Sequence, residues 1–194
     1  MSNTTNKANT VPNPMKVVTG EVRLSYANLW EPKSINGGAA KYSVSVIVPK
    51  TDDTTIAKIN AAIEAAYREG AVKLRGNGKT VPPLNTLKTP LRDGDEDRPD
   101  DEAYADSFFF NANSATAPGI VDKACEPIFE RSEIYSGVYA RVSANFYAFN
   151  SNGNKGIACG LNHVQKLRDG EPLGGKTRAE DDFGELLNDD EFLS

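Results

Sequence analysis

The stretch GVYARVSANFYAFNSNGNKGIACGLNHVQKLR (137–168) decides the fold. In its first half, apolar side chains at even positions alternate with polar and aromatic ones at odd positions, which is the period of a β-strand with one face in the core. Asn152 and Gly153 separate the two halves, and both residue types tolerate the positive φ of a tight hairpin turn. The stretch therefore predicts a long β-hairpin, with strands over 137–150 and 155–168.

The preceding residues predict further strands and one helix. Four segments have the alternation or the short apolar run of a strand: 16–30, 41–48, 104–111 and 119–121. In the first of them, apolar residues recur at even positions and are interrupted by Gly20, which predicts a long strand with a bend or bulge: Val18, Val22, Leu24 and Tyr26. From Thr51 the period becomes helical and predicts one packed helix over about residues 53–75, followed by a long acidic loop over 76–102. This order is typical of a mainly β protein, a compact barrel or sheet with one packed helix.

Acidic side chains are concentrated in two segments of the chain. The 194 residues carry 22 basic and 27 acidic side chains, for a net charge of -5. Residues 180–194 hold seven of the acids and no Lys or Arg, and residues 93–102 hold seven more beside one Arg. Without these two segments, 21 basic and 13 acidic side chains remain. We therefore expect one domain over 15–179 that is basic outside its acidic segment, a disordered lead-in over 1–14 and a disordered acidic tail over 180–194.

Several classes of protein are disfavoured. No run approaches the ~20 apolar residues of a membrane-spanning helix, and the N-terminus lacks the layout of a secretory signal, so we expect a soluble intracellular protein without a membrane partner. Two distant cysteines and one histidine cannot form a four-ligand zinc site of Cys and His. Gly78-Lys79-Thr80 is not a P-loop, because the position that needs the first glycine is Lys73. We therefore expect no enzymatic activity, no cofactor and no metal.

The odd-numbered face of the first hairpin strand carries the main candidate site. Tyr139, Arg141, Tyr147 and Phe149 lie on it, with small polar residues between them. Flat rings can stack on nucleobases, and a guanidinium can bind a phosphate or the face of a base. Two interpretations stay open: a platform for nucleic acid, or a second core layer packed under a helix or loop.

Other candidates lie beside loops and in the tail. Four cations could follow a nucleic-acid backbone: Lys33, Lys41, Arg75 and Lys79. Trp30 could stack on a base or anchor the core. In the tail, acids and an aromatic residue form a candidate partner-binding segment: Asp181, Asp182, Asp189, Asp190, Glu191 and Phe192. Such a segment suits a basic groove with apolar pockets, on this chain or on a partner, or serves only as a solubilising end.

With these residues assembled, the chain resembles the DUF2815 family of phage single-stranded DNA-binding proteins, which is similar in plan to the corresponding proteins of T7-like phages. The resemblance covers most of 15–194 and rests on GEVRLSYANLWEPK (20–33), KYSVSVIVPK (41–50), the aromatic block over 135–175 and the acidic end DDEFLS (189–194). It implies an OB-fold-like β-barrel that binds single-stranded DNA with little sequence specificity during phage DNA replication and recombination. It also implies a mobile acidic tail that competes with DNA or recruits replication or recombination proteins.

The same resemblance places the protein in the cytoplasm of the infected bacterial cell and leaves a homodimer open. One departure concerns the helix, which follows the second recognised strand, whereas an OB barrel has it between the third and fourth. Either residues 15–30 hold more than one strand, or the barrel is elaborated. Two alternative functions remain: a phage interaction or scaffold protein that acts through its tail without binding DNA, and a metal-dependent enzyme that uses the acids between 93 and 106.

Overall fold

The structure is a computed structural model that describes residues 12–34 and 37–174, and this part of the chain is mainly β. Its strands are β1 (Lys16–Val18), β2 (Val22–Lys33), β3 (Lys41–Pro49), β4 (Arg92–Asp93), β5 (Ser107–Ser114), β6 (Gly119–Val121), β7 (Tyr139–Ser151) and β8 (Asn154–Arg168). Its helices are α1 (Asp53–Glu69), α2 (Ala71–Arg75) and α3 (Gly94–Asp97), with single 3-10 turns at Leu84–Thr86, Glu102–Tyr104 and Arg131–Glu133. None of the helices in the described ranges has the length and apolar character needed to cross a bilayer.

These strands belong to one sheet. β2 pairs antiparallel with β3 and with β7, β3 pairs with β5, and β7 pairs with β8. β5 and β8 run parallel and meet at one register pair, Asn113 with Gly160. β1 lies beside β7, β6 beside β8, and β4 beside β5. The predicted mainly β class and the long hairpin are confirmed, and residues 15–30 do hold more than one strand.

The core lies between the inner face of the sheet and α1. Leu24 and Phe146 are fully buried on the sheet, and Ile59 and Ile63 of α1 belong to the same cluster. The even-numbered face of β7 packs inward, as the alternation predicts. The carboxylate of Asp52 accepts a hydrogen bond from the Thr55 backbone N–H (3.1 Å) and so caps the start of α1.

The single helix predicted over 53–75 is wrong in one respect, because the chain forms two helices that meet at Gly70. At this residue the backbone passes directly against β7. A Cβ at position 70 would lie 2.2 Å from the Ala148 methyl group. Only glycine allows so close an approach, and α1 therefore ends here before α2 continues.

The bend or bulge predicted within residues 16–30 is confirmed, and it decides which side chains of this segment are exposed. Val17 is buried and Val18 is 48% exposed, because the alternation does not continue from β1 into β2. The register of β2 against β3 shifts between Ser25 and Asn28, and Tyr26 adopts a φ of 46° in this bulge. A bulge redirects the side chains beyond it, and Tyr26 is 58% exposed on the outer face.

The acidic segment is held against the sheet by two basic residues. The Lys50 ammonium lies 2.9 Å from an Asp93 oxygen and 2.7 Å from an Asp95 oxygen, and Arg92 lies 2.7 Å from Asp97. Hydrogen bonds from Lys50 lower the pKa of both the Asp93 and the Asp95 carboxyl. The predicted long loop thus contains short ordered elements, and three of its acids form ion pairs. Across the described ranges, no group of three or more His, Cys, Asp or Glu side chains is placed to hold a metal ion.

Candidate nucleic-acid interface

A pocket of about 360 Å³ opens on the outer face of β2, β3 and β5. The strand register places Ser45 opposite Asn111, and Ser43 opposite both Asn28 and Asn113. Because alternate residues of a strand point to the same side, these side chains share the outer face. All five residues line the pocket, and the part of the pocket they form consists of neutral hydroxyl and amide groups.

Tyr26 and Arg98 line the same pocket. The Arg98 guanidinium carbon lies 5.6 Å from the centre of the Tyr26 ring, 5.5 Å from that of Tyr104 and 5.6 Å from that of Phe109. Arg98 forms no ion pair with any residue that the structure describes. Its charge therefore remains available to a phosphate or to the face of a base.

The acidic segment determines where Arg98 lies. Arg98 directly follows α3, and its backbone N–H donates to the Gly94 carbonyl (2.9 Å). A Cβ at position 94 would lie 2.3 Å from the Tyr104 carbonyl oxygen, so that glycine lets α3 pack closely against the next turn. The Tyr104 hydroxyl in turn contacts the Ser45 hydroxyl at 2.9 Å. Together with the Lys50 ion pairs, these contacts hold Arg98 at the pocket.

Two of the predicted cations, Lys33 and Lys41, lie beside the pocket. They face each other in the β2–β3 register, and both are exposed. Lys33 lines the 360 Å³ pocket, and both residues line a neighbouring cavity of about 270 Å³ that also includes Asn113. Neither forms an ion pair within the described part of the chain. Two adjacent, unneutralised cations attract a phosphate backbone.

The four predicted residues of β7 lie on its outer face but do not form one platform. The Tyr139 ring lies between the guanidinium groups of Arg168 and Arg23, whose Cζ atoms are 3.7 Å and 5.4 Å from its centre. Arg141 is exposed, Tyr147 is 44% exposed, and Phe149 is half-buried. Tyr139 and Tyr147 are eight residues apart, which corresponds to about 27 Å along a strand.

Tyr147 is connected to the pocket through β8. Gly160 pairs with Asn113 on β5 and with Asn145 on β7. A Cβ at position 160 would lie 3.7 Å from Cε1 of Tyr147, so the tyrosine ring lies next to this glycine. Tyr147 is therefore placed to extend the interface from the pocket onto the outer face of β7.

The remaining predicted residues lie elsewhere. Arg75 ends α2, and its carbonyl accepts a hydrogen bond from Lys155 (3.4 Å) near the β7–β8 turn. Lys79 is exposed in the loop that follows. Trp30 packs against the core, and its indole N–H donates to the Ile134 carbonyl (3.2 Å). A binding role for these three residues stays a prediction. The six tail residues between Asp181 and Phe192 lie outside the described residues.

Of the residues that line the pocket, only Lys33 is among the predicted site residues. The polar and aromatic ones that the sequence reasoning missed are Tyr26, Asn28, Ser43, Ser45, Arg98, Asn111 and Asn113. The alternation in FFFNANS (108–114) contains a signal for Asn111 and Asn113, because polar residues there occupy the face opposite buried Phe110. No local pattern marks Tyr26 or Arg98. A bulge exposes the first, and contacts with distant residues place the second.

Comparison with known proteins assigns the chain to a family. A family model described as the single-stranded DNA-binding protein of Enterobacter phage Enc34 matches residues 15–193. The chain belongs to this family. A further relative of this family member is protein p50 of Acyrthosiphon pisum secondary endosymbiont phage 1, which is 30% identical over 181 residues, or 89% of this chain and 94% of p50.

Two solved structures resemble the fold of this family member. The single-stranded DNA-binding protein of bacteriophage Enc34, in complex with single-stranded DNA, matches with a TM-score of 0.71 and 25% identity, over 84% of this chain and 91% of that one. The single-stranded DNA-binding protein gp2.5 of bacteriophage T7 matches with a TM-score of 0.58 and 16% identity, over 88% and 93%. At that identity the second likeness concerns the fold alone. The resemblance to phage single-stranded DNA-binding proteins seen in the sequence is confirmed.

Proposed function

We propose that this protein binds single-stranded DNA on the outer face of β2, β3 and β5 during phage DNA replication and recombination. The observation that carries the proposal is the exposed Tyr26 ring beside the Arg98 guanidinium in a pocket of about 360 Å³. Membership of the Enc34 family supports it, as does the complex of the Enc34 protein with single-stranded DNA.

Binding combines base stacking with phosphate contacts. An aromatic ring stacks on any base, and Lys or Arg binds phosphates, so affinity falls steeply with salt and depends little on sequence. Tyr26 and Tyr147 provide rings, and Lys33 and Lys41 provide charges. Five further residues contribute more distant contacts: Trp30, Arg75, Lys79, Arg141 and Phe149. Tyr139 contributes as part of its stack with two arginines.

The sheet is an elaborated OB-like barrel in this proposal. Five strands pair along a path that returns to its start: β2, β3, β5, β8, β7 and β2 again. An OB-fold is a five-stranded, partly open barrel that binds oligonucleotides on its second and third strands, flanked by the first-to-second and fourth-to-fifth loops. Counted from β2, the second and third strands are β3 and β5, whose outer face carries the pocket. This correspondence supports the location of the DNA.

The protein acts without catalysis, cofactor or metal, in the cytoplasm of the infected bacterial cell. The ion pairs of Asp93 and Asp95 with Lys50 support this part of the proposal over the metal-dependent enzyme. The acidic tail competes with DNA for the basic face or recruits replication or recombination proteins. Its charge and apolar residues support that role. A second copy in a homodimer is a further proposed partner.

Fluorescence anisotropy of a labelled oligo-dT, at low and moderate salt, tests the function. The full chain and a truncation ending at Ala179 should both bind, the truncation more tightly, and Tyr147→Ala should weaken binding about 5- to 150-fold, the effect of one stacked base. Tyr147→Ala is a cleaner variant than Tyr139→Ala, because the Tyr139 ring also holds two arginines. If neither protein binds at low salt, the interaction or scaffold function replaces this one.

A further inference from the structure

The pocket contains three asparagine side chains whose hydrogen-bonding groups are only partly used. The amide nitrogen of Asn28 donates to the Tyr26 carbonyl and to the Ser43 hydroxyl, both at 3.2 Å. These contacts orient the Asn28 amide and leave its oxygen as a free acceptor. Asn111 and Asn113 are exposed, and their amides form no hydrogen bond with any residue that the structure describes.

The Tyr26 ring belongs to the same pocket as these amides. Its backbone φ of 46° is unusual for a tyrosine and is imposed by the bulge in β2. Backbone strain of this kind persists where the surrounding structure holds it, and it is concentrated at functional sites. The pocket volume of about 360 Å³ is within the range of sites that hold a small molecule, which includes a single nucleobase.

On the base edge that carries N7, the donor and acceptor pattern of an amide matches adenine better than guanine. An asparagine side chain offers N–H donors and a carbonyl acceptor, and it pairs in a bidentate manner with N6 and N7 of adenine. The corresponding edge of guanine presents two acceptors, which a cation satisfies better than an amide does. The two outward residues of β5 at this position are amides. Two cations also line the pocket: Arg98, which lies against three aromatic rings, and Lys33 at the end of β2. The strand with interspersed dG is therefore the competitor that separates reading by the amides from reading by a cation.

We propose that this pocket is a base-reading subsite that selects adenine within an otherwise sequence-tolerant interface. Tyr26 stacks on the face of the base, and Asn111 and Asn113 read its edge. The inference rests on the proposed binding of single-stranded DNA and adds a base preference to it. A bidentate contact of this type discriminates between bases by about tenfold.

Competition anisotropy with the full chain tests the preference. Unlabelled oligonucleotides of equal length compete with labelled oligo-dT at one salt concentration: all dT, dT with interspersed dA, dT with interspersed dG or dC, and dT with interspersed 7-deaza-dA, which lacks N7. The wild-type protein should bind the dA-containing strand about tenfold more tightly than oligo-dT, and 7-deaza-dA should remove most of that gain. The double variant Asn111→Ala, Asn113→Ala should lose the gain, so that its Kd values for the dA-containing strand and for oligo-dT become equal.

Asn85→Ala is the matched control, because Asn85 is also exposed but lies in a 3-10 turn outside the pocket. It should keep the wild-type preference. Equal affinity of the wild type for the dT and dA-containing strands, an equal or greater gain with dG or dC, or an undiminished gain in the double variant would overturn the inference. Each of these results leaves single-stranded DNA binding intact, whereas the absence of binding to every oligonucleotide would overturn the proposed function itself.

Discussion

Removal of the Tyr26 ring should weaken binding of single-stranded DNA without unfolding the protein. The side chain is 58% exposed, so Tyr26→Ala opens no cavity in the core. At a φ of 46°, alanine and tyrosine have the same unfavourable backbone conformation. This strain therefore does not contribute to the difference in unfolding free energy between the variant and the wild type. We therefore expect the free energy of unfolding to change by no more than about 0.5 kcal/mol.

The loss of binding follows from the stacking contact. One base stacked on an aromatic ring contributes about 1–3 kcal/mol, which corresponds to an increase in Kd of about 5- to 150-fold. Tyr26→Phe keeps the ring and should bind within about twofold of the wild type. The measurement is anisotropy of a labelled oligo-dT at constant low salt, with thermal unfolding followed by circular dichroism.

Phe129→Ala is the matched control for this prediction. Phe129 is 85% exposed, so its substitution also removes an exposed ring, but the residue does not line the pocket. Two acids, Glu126 and Glu130, lie near it in the chain, and the cation next to them, Arg131, is paired with Glu31, so this surface does not favour a polyanion. If Tyr26→Ala binds within twofold of the wild type, or if both alanine variants lose affinity equally, the pocket is not the stacking site.

Three further predictions concern charge, backbone packing and pH. Lys33→Ala and Lys41→Ala should each reduce the slope of log Kd against log salt by about 0.7, the value for one phosphate on a single strand; unchanged slopes would place the phosphates elsewhere. Gly94→Ala should lower Tm in thermal circular dichroism, because its Cβ would lie 2.3 Å from a carbonyl oxygen; an unchanged Tm would contradict that packing. Lys50 lowers the pKa of the two aspartates it contacts, so their contribution to stability is present above the unfolded-state pKa of about 4 and is lost as the pH falls through the lower folded-state values. Lys50→Met should therefore flatten the decline of Tm between about pH 5 and pH 2, and parallel declines would refute the linkage.

The sequence predicts those strands and helices that can be recognised from the spacing of apolar residues within one continuous segment. The β7–β8 hairpin is an example, because alternation and an Asn-Gly turn lie within one continuous segment. The break between α1 and α2 is not predicted in the same way, since it depends on Ala148, which is far from Gly70 in the chain. Local patterns describe contacts between neighbours and carry no information about such distant approaches.

The residues of the candidate site also fall into two groups: those that local sequence patterns place, and those that contacts with distant residues place. Lys33 and Lys41 flank a loop between two recognisable strands, so their proximity follows from the predicted pairing. The sequence does not identify Arg98 as a binding residue, because a strongly acidic segment surrounds it. The acids of that segment that pair with Lys50 come from more than 40 positions away, and only the fold reveals that their charge is neutralised. The even-position period of residues 16–30 does not reveal that Tyr26 lies at the pocket, because the bulge interrupts that period.

The single register pair between β5 and β8 has a consequence for how the protein moves. β7 and β8 are joined along almost their whole length, whereas Asn113 and Gly160 alone link β5 to β8 in register. Local opening of a sheet begins where few hydrogen bonds hold it. We therefore expect the β5–β8 junction to open before the rest of the sheet. The pocket lies on the β5 side of this junction, and Tyr147 lies on the β8 side, on β7. A DNA strand that contacts both the pocket and Tyr147 would link the two sides of the junction and suppress its opening. Amide exchange at Asn113 and Gly160 would then slow when the strand binds.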